Sequence, residues 1–408
     1  MLITGIEIRN YRGIKDLTIT DLDCHTNLFI GKNGAGKSSL LDAISNVMSW
    51  FVARMLSTTG RGKDIPINDI GFRSKEGSTV RLQLNGNEWC GLYRSTEMNK
   101  SGKSDLSALN ELVKSLRENI EKNPLTSVPV YVHYGVGRVV ADIPLRIRKN
   151  TKRDVTNAYN EALDSSASFR DFFAWFREQE DIENEHIREN PQYRDRSMEA
   201  IRDAMSKVFS EFSDMRVRRS PRSIQIKKDS EVLRLEQLSD GEKCYIALVC
   251  DLTRRLTIAN PQLDNPLNGS GIVLIDEIDL HLHPEWQMDV VTKLVSTFPN
   301  CQFFITTHSP IVASDVKGKV FAMEGGQAYP RNTYGKDSEQ ILASAFGVLN
   351  PRNKVVQEMI DDAYKTIRES DYEKANGLLA NISFLLGNDD PVVSAIKLEM
   401  TRKSRIQR

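Results

Sequence analysis

Between Gly31 and Ser39 the chain reads GKNGAGKSS, and few stretches limit a fold as strongly. It fits G-x-x-x-x-G-K-[ST], a loop whose backbone amides turn inward around phosphate. Glycines at 31, 34 and 36 let the backbone follow that path. Lys37 can reach the β- and γ-phosphates, and the Ser38 hydroxyl can ligate Mg²⁺. An apolar run, Leu28-Phe29-Ile30, precedes the loop, and Ser39-Leu40-Leu41-Asp42-Ala43-Ile44 follows it. The spacing therefore predicts strand, loop and helix, with phosphate at the helix N-terminus. That places the chain in the α/β class.

A second apolar run, Gly271 to Ile275, ends in Asp276-Glu277. Such a run suits a parallel strand covered on both faces. Asp276 at its end can hold Mg²⁺, and Glu277 can activate water as a general base. A third run, Phe303-Phe304-Ile305, ends in Thr306-Thr307-His308-Ser309-Pro310. Upstream, LSDGEK (238–243) opens a long helix. Ser239 suits its N-cap, Glu242 a capping box, and Gly241 a close backbone approach. His281, His283 and Glu285 in HLHPE also invite a metal-site reading, but Pro284 starts a helix there and the spacing is strand-like.

The remaining chain organises around these motifs. Residues 1–30 read as three strands, with Ile3, Gly5 and Glu7 on one face of the first and Ile6 and Ile8 on the other. Strands are also expected at 78–84, 88–94 and 128–132, and a short helix around Leu109, Leu112 and Leu116. His133 to Arg138 is a turn-rich stretch after a strand, a place that can carry a site. Residues 141–229 look like an all-helical insertion. Phe169, Phe172, Phe173 and Phe176 share one helical face, as do Met198, Ile201, Met205, Val208, Phe209 and Phe212, which predicts a hairpin core rather than a base-stacking surface. A charged stretch separates them.

Two basic segments bracket this insertion: 146–153, with Arg146, Arg148, Lys149, Lys152 and Arg153, and 216–228, with Arg216, Arg218, Arg219, Arg222, Lys227 and Lys228. Together they could bind nucleic acid, or pair with the acidic stretch at 178–185. Overall charge does not choose between them, since Lys+Arg and Asp+Glu are both 55. The domain expectation is an N-terminal lobe at 1–140, the insertion at 141–229, a C-terminal lobe at 230–335 and a helical tail at 336–408 that could dock a partner. Five scattered cysteines, no C-x-x-C, no membrane-length apolar run and no signal-peptide core point to a reduced, cytoplasmic protein with no membrane partner.

With the phosphate loop, LSDGEK, LIDEIDLHLHP and TTHSP in this order, the sequence resembles the ABC/SMC-like ATPases of the RecF and OLD type. The phrases IALVCDLTRRLTIANP, FRDFFAWFREQEDIEN and LLGNDDPVV narrow the likeness to the branch containing PtuA, the ATPase subunit of Septu and related retron antiphage systems. The resemblance implies an ABC-type P-loop ATPase head that binds ATP and Mg²⁺ and forms a homodimer or higher homo-oligomer around composite sites. On it, the ATP ligands are Arg12, Lys32, Asn33, Gly34, Ala35, Gly36, Lys37, Ser38 and Ser39, with Ser239 and Gly241 supplied by the other protomer. Ser38 and Asp276 hold the metal, Glu277 and the switch residue His308 are catalytic, and Asp279 lies at the dimer seam. The implied partner is an HNH nuclease of the PtuB kind, with a retron reverse transcriptase and its DNA as a further possibility. Alternatives are a non-hydrolysing ATP-sensing scaffold and a RecF-like DNA-repair ATPase. One departure stands out: Asp240 occupies a signature position where transporters carry glycine.

Overall fold

The computed structural model describes residues 1–71, 77–86, 88–95, 102–137, 154–163, 169–220, 222–348 and 352–406. Arg138 and the basic segment at 146–153 lie outside the described residues. Two compact units emerge, Met1–Ile341 and Leu342–Arg408.

In the first unit β1 (Ile3–Tyr11) and β2 (Ile14–Ile19) form a hairpin, and β3 (Thr26–Ile30) feeds the glycine loop. β4 (Ser78–Leu84) and β5 (Trp89–Arg94) join the hairpin in an antiparallel sheet of order β2-β1-β4-β5. The strand expected at 128–132 is β6 (Val130–Tyr134). Further on come β7 (Phe212–Arg219), β8 (Arg222–Lys228), β9 (Glu231–Arg234), β10 (Gly271–Ile275), β11 (Cys301–Thr307), β12 (Lys319–Glu324) and β13 (Gln327–Arg331). The central sheet has the order β13-β12-β3-β11-β10-β6, parallel from β12 to β6. β3, β6, β10 and β11 are buried along their whole length, as their unbroken apolar runs require.

Five helices matter for the site: α1 (Lys37–Leu56), α2 (Ser107–Lys122), α3 (Phe169–Glu189), α4 (Arg196–Val208) and α5 (Asp240–Ala259). α1 packs on β6 and β11, and α5 packs on β6. β3 is inserted between β12 and β11, and the glycine loop that follows it lies at the carboxyl edge of the parallel strands. This is an α/β fold built on a mainly parallel central sheet. Among the described residues no helix is long and apolar enough to cross a membrane.

Three expectations change. In β1 a bulge at Ile3/Gly5 shifts the alternation, so Ile3, Ile6 and Ile8 are all fully buried on account of the extra residue. The insertion is not all helical: β7, β8 and β9 form an antiparallel sheet, which also crosses the expected boundary at 229. Its sequence carries a period of two, with Ile224 and Ile226 both fully buried, and β-branched residues suit that geometry. Phe212 accordingly starts a strand instead of ending a helix. The charged stretch between the two helical patterns continues α3 to Glu189. Phe172, Phe173 and Phe176 are buried in the core, so these three rings present no stacking surface.

The acidic and basic stretches meet within the chain. Val217 N–H donates to Glu180, and Arg219 pairs with Asp181. Arg216 lies 3.8 Å from Asp214, and Lys228 pairs with Glu242 at 2.5 Å.

The second unit is helical, with helices Lys354–Arg368, Tyr372–Leu386 and Pro391–Ile406. Its core is Ile360, Ala363, Ile367, Ala375, Ile382, Val393 and Ile396.

Candidate nucleotide site

Four parallel strands end side by side. Ile275 lies in register with Ile305 and with Tyr134, and Thr307 with Ile30. The residues that follow therefore cluster at one edge: Gly135 and Asp276 lie level with Thr306, and His308, two residues further along, lies level with Gly31. Three motifs far apart in sequence meet because buried parallel strands fix their relative register.

Gly31 has φ +147°, and a β-carbon there would sit 2.5 Å from the Met323 carbonyl oxygen of the neighbouring β12. Only glycine allows that turn beside that strand. Lys32, Asn33 and Gly34 form the exposed tip, and Ala35 and Gly36 are half-buried. Gly36 sits at the N-cap of α1, which has no side-chain cap, so the first amides of the helix face the loop without a competing acceptor. Ser38 is exposed and Ser39 half-buried at this helix start.

Lys37 is buried, and its ammonium is spanned by three acceptors. It donates to the Gly31 carbonyl at 3.0 Å, the Lys32 carbonyl at 3.2 Å and His308 Nε2 at 2.9 Å. His308 Nδ1 stands at 3.5 Å from the same ammonium, so the ring lies close against it. Desolvation lowers the Lys37 pKa, opposed by Glu277, Asp276 and Asp279. An anion at this cationic group would relieve part of that desolvation by pairing with it.

Asp276 and Glu277 are held by Thr306, which the sequence reading did not single out. The Thr306 hydroxyl donates to Asp276 Oδ1 and accepts from Glu277 N–H at 2.8 Å. Asp276 N–H donates to the Tyr134 carbonyl at 2.8 Å. Glu277 adopts φ +48°, a left-handed conformation uncommon outside glycine. Such local strain persists where surrounding bonds over-determine it, as they do here. It leaves Glu277 Oε1 at 3.7 Å from His308 Nε2. Aligning the apolar runs of β10 and β11 end to end would have placed Thr306 beside Asp276.

Asp279 accepts from the Thr307 hydroxyl at 2.5 Å and from His308 N–H at 3.4 Å, tying the turn after β10 to the turn after β11. Ser309 caps the following helix and donates to Gln287 Oε1 at 2.7 Å. His281 lies at φ +63°, and His283 is the N-cap of the Pro284–Gln287 helix. Both therefore serve the backbone of this turn.

At the start of α5, Ser239 and Glu242 form the expected capping box. Ser239 N–H and Oγ–H both donate to Glu242 Oε2 at 2.7 Å. A β-carbon on Gly241 would stand 2.0 Å from the His281 carbonyl oxygen, so Gly241 seats α5 on the turn after the Asp-Glu strand. Arg12 sits further out. Its guanidinium bridges Asp69 at 2.9 Å and Asp42 at 2.5 Å, the latter one turn beyond Ser38 on α1.

The residues present fit ATP with Mg²⁺. The loop amides and Lys37 suit phosphate, and the Ser38 hydroxyl with the Asp276 carboxylate offers the hard oxygen ligands this ion takes. A magnesium ion bound there would neutralise phosphate charge.

The chain is similar to several known proteins. A family described as an AAA domain matches residues 138–314, and one described as an AAA ATPase domain matches residues 1–70. The chain is 29% identical to Retron Ec83 probable ATPase of Escherichia coli, over 98% of this chain and 87% of that one. It is 29% identical to Retron Vc95 probable ATPase of Vibrio cholerae serotype O1 biovar El Tor, over 84% of this chain and 78% of that one. Septu protein PtuA of Bacillus mycoides (strain KBAB4) is 35% identical over 32% of this chain and 19% of its own length. The chain is thus similar to retron ATPases along most of its length and to a Septu protein over about a third of it.

Proposed function

We propose that this ABC/SMC-like ATPase binds ATP·Mg²⁺ at composite sites between copies of itself, hydrolyses it, and so controls a partner nuclease in antiphage defence. The observation that carries the reading is the convergence of Lys37, Asp276, Glu277 and His308 at adjacent strand ends, with Lys37 and His308 in direct contact.

The loop amides from Lys32 to Ser39 cradle the phosphates, and Lys37 neutralises the β- and γ-oxygens. Ser38 and Asp276 hold the metal. Glu277 takes a proton from water as the water oxygen attacks the γ-phosphorus and the bond to the bridging oxygen breaks, leaving ADP and phosphate. His308, beside Glu277, holds a γ-phosphate oxygen. Ser239 and Gly241 reach the same phosphate from a second copy. Arg12 braces α1 through Asp42 and so serves the loop from outside. The resemblance to retron and Septu proteins favours an HNH nuclease as partner, with a reverse transcriptase and its DNA in the retron case. The exposed arginines Arg216 and Arg218 favour a nucleic-acid contact at β7.

The test is mass by light scattering with and without ATP·Mg²⁺, alongside phosphate release. Assembly on ATP with steady release, both lost in Lys37→Ala and only release lost in Glu277→Gln, is the expected result. Assembly with no phosphate release in the wild-type chain would replace hydrolysis by an ATP-sensing scaffold. No assembly at all would remove the composite site.

A further inference from the structure

We infer that Lys228, on the sheet of the insertion, is a positioning residue for the composite site. It neutralises the glutamate that holds Ser239, and so sets how α5 meets the phosphates of ATP bound to a second copy of this chain. This rests on the composite-site reading above.

The two oxygens of Glu242 are divided between two partners. Oε2 accepts from the Ser239 amide and hydroxyl, each at 2.7 Å, and Oε1 accepts from Lys228 Nζ at 2.5 Å. Ser239, Glu242 and Lys228 thus form one chain of hydrogen bonds that starts at the residue meant for the γ-phosphate. Direct bonding to Lys228 holds the Glu242 carboxyl charged: burial alone would raise its pKa, and Lys228 with Ser239 reverses this to a net lowering.

Lys228 is itself held in place. It faces Phe212 in the β7–β8 register, with its ammonium 5.6 Å from that ring. Phe212 packs edge-on against Phe209, and Phe209 against Tyr245 of α5 and against Trp286. Lys228 therefore reports the position of the insertion's sheet directly to the first turn of α5.

Electrostatics gives the contact a consequence. The first turn of α5 carries two carboxylates, Asp240 and Glu242. Carboxylates suit a helix N-terminus, but they repel a phosphate brought to the same place. Lys243 pairs with Asp240 at 2.8 Å, and that carboxylate is largely exposed, so water and salt screen it. Glu242 is far less exposed, 14% for the side chain, so its charge is screened less and depends on Lys228 for cancellation. Remove Lys228, and a bare carboxylate stands behind Ser239, competing for the hydroxyl proton and repelling the incoming phosphate.

The experiment compares wild type, Lys228→Met, Glu242→Gln and the double variant. Methionine keeps a stem over Phe212, and glutamine keeps an oxygen acceptor for Ser239. Two quantities are read: the ATP concentration at half-assembly by light scattering, and ATP affinity at protein concentrations where the chain is monomeric. Lys228→Met is expected to raise the half-assembly concentration about tenfold or more, the scale of one charge-assisted bond, with monomer affinity unchanged. Glu242→Gln in the Lys228→Met background is expected to restore assembly to near wild type, which a merely structural role of the lysine would not produce. Wild-type assembly by Lys228→Met, or a double variant no better than the single one, overturns the inference. A wild-type chain that binds ATP and stays monomeric overturns the composite-site reading, and this inference with it.

Discussion

α1 starts on the glycine loop and α5 starts against the turn after β10, and the two starts are built in opposite ways. α1 starts on a glycine with no side-chain cap, and its sides are buried among apolar residues almost all round. α5 starts on a closed capping box with two acidic residues in the first turn, and its middle holds a buried ion cluster. An open helix start is ready to receive phosphate from its own chain. A closed one has already satisfied its amides and hydroxyl, so it can serve a phosphate only by exchanging one of those bonds. On the composite-site proposal, the difference separates a site complete in one protomer from a half-site that needs a second copy and a trigger.

The strongest way to break the comparison is through what anchors α5. Asp251 is fully buried and accepts from Arg254 at 2.7 Å, Arg255 at 2.7 Å and the Tyr134 hydroxyl at 2.9 Å. Asp251→Asn leaves two buried guanidiniums without their counter-ion, a change that costs about 3–5 kcal/mol in chemical unfolding. Lys37→Ala removes a buried ammonium whose desolvation partly offsets its hydrogen bonds, and is expected to cost less in the same measurement. An Asp251→Asn chain as stable as wild type would remove the anchoring argument.

The same cluster has a pH signature. Burial alone would raise the Asp251 carboxyl, but Arg255 and Arg254 hold it down to about 2. Because the native value lies below the unfolded one, its stabilisation is complete above the ordinary carboxylate range. It fades as pH falls below about 4 toward 2. Unfolding followed from pH 7 to pH 3 should show that loss in wild type and a flatter profile in Asp251→Asn.

Next come the groups at the open site. Glu277→Gln removes the base and keeps the shape, so phosphate release should fall about 10²–10⁴-fold while ATP binding and assembly persist. Lys37→Met removes a charge-assisted phosphate contact, and ATP affinity should fall about 10- to 100-fold. If Glu277→Gln instead releases phosphate at the wild-type rate, the carboxylate is not the base.

How much of this could be read from residues alone follows the same division. The loop, the Asp-Glu strand and the switch histidine were legible because each combines an apolar run with a polar terminus, and buried parallel strands leave little freedom in how those ends line up. Thr306 was not, since a threonine inside a buried strand looks like strand propensity until register places it beside Asp276. Lys228 read as one more member of a basic run; only the folding of β7 and β8, which helical periodicity hid, turns it toward Glu242. Tyr134 lies in a stretch singled out for its turns, yet its hydroxyl serves Asp251 and its carbonyl serves Asp276, contacts that depend on α5 and on the end of β10, each more than a hundred residues away.

The smallest effect decides most about the closed start. Ser239 has two separable duties: it caps α5 within its own chain, and its hydroxyl is the group proposed to meet a second copy's ATP. Replacing an N-cap serine by alanine costs about 1 kcal/mol, whereas glycine costs only a few tenths. Stability should therefore order as wild type, Ser239→Gly, Ser239→Ala in denaturant unfolding. ATP-driven assembly should not follow that order, because both variants lack the hydroxyl and should be impaired alike. If Ser239→Gly assembles like wild type while Ser239→Ala does not, capping is the residue's whole contribution, and the contact across copies must come from the amides of the first turn of α5.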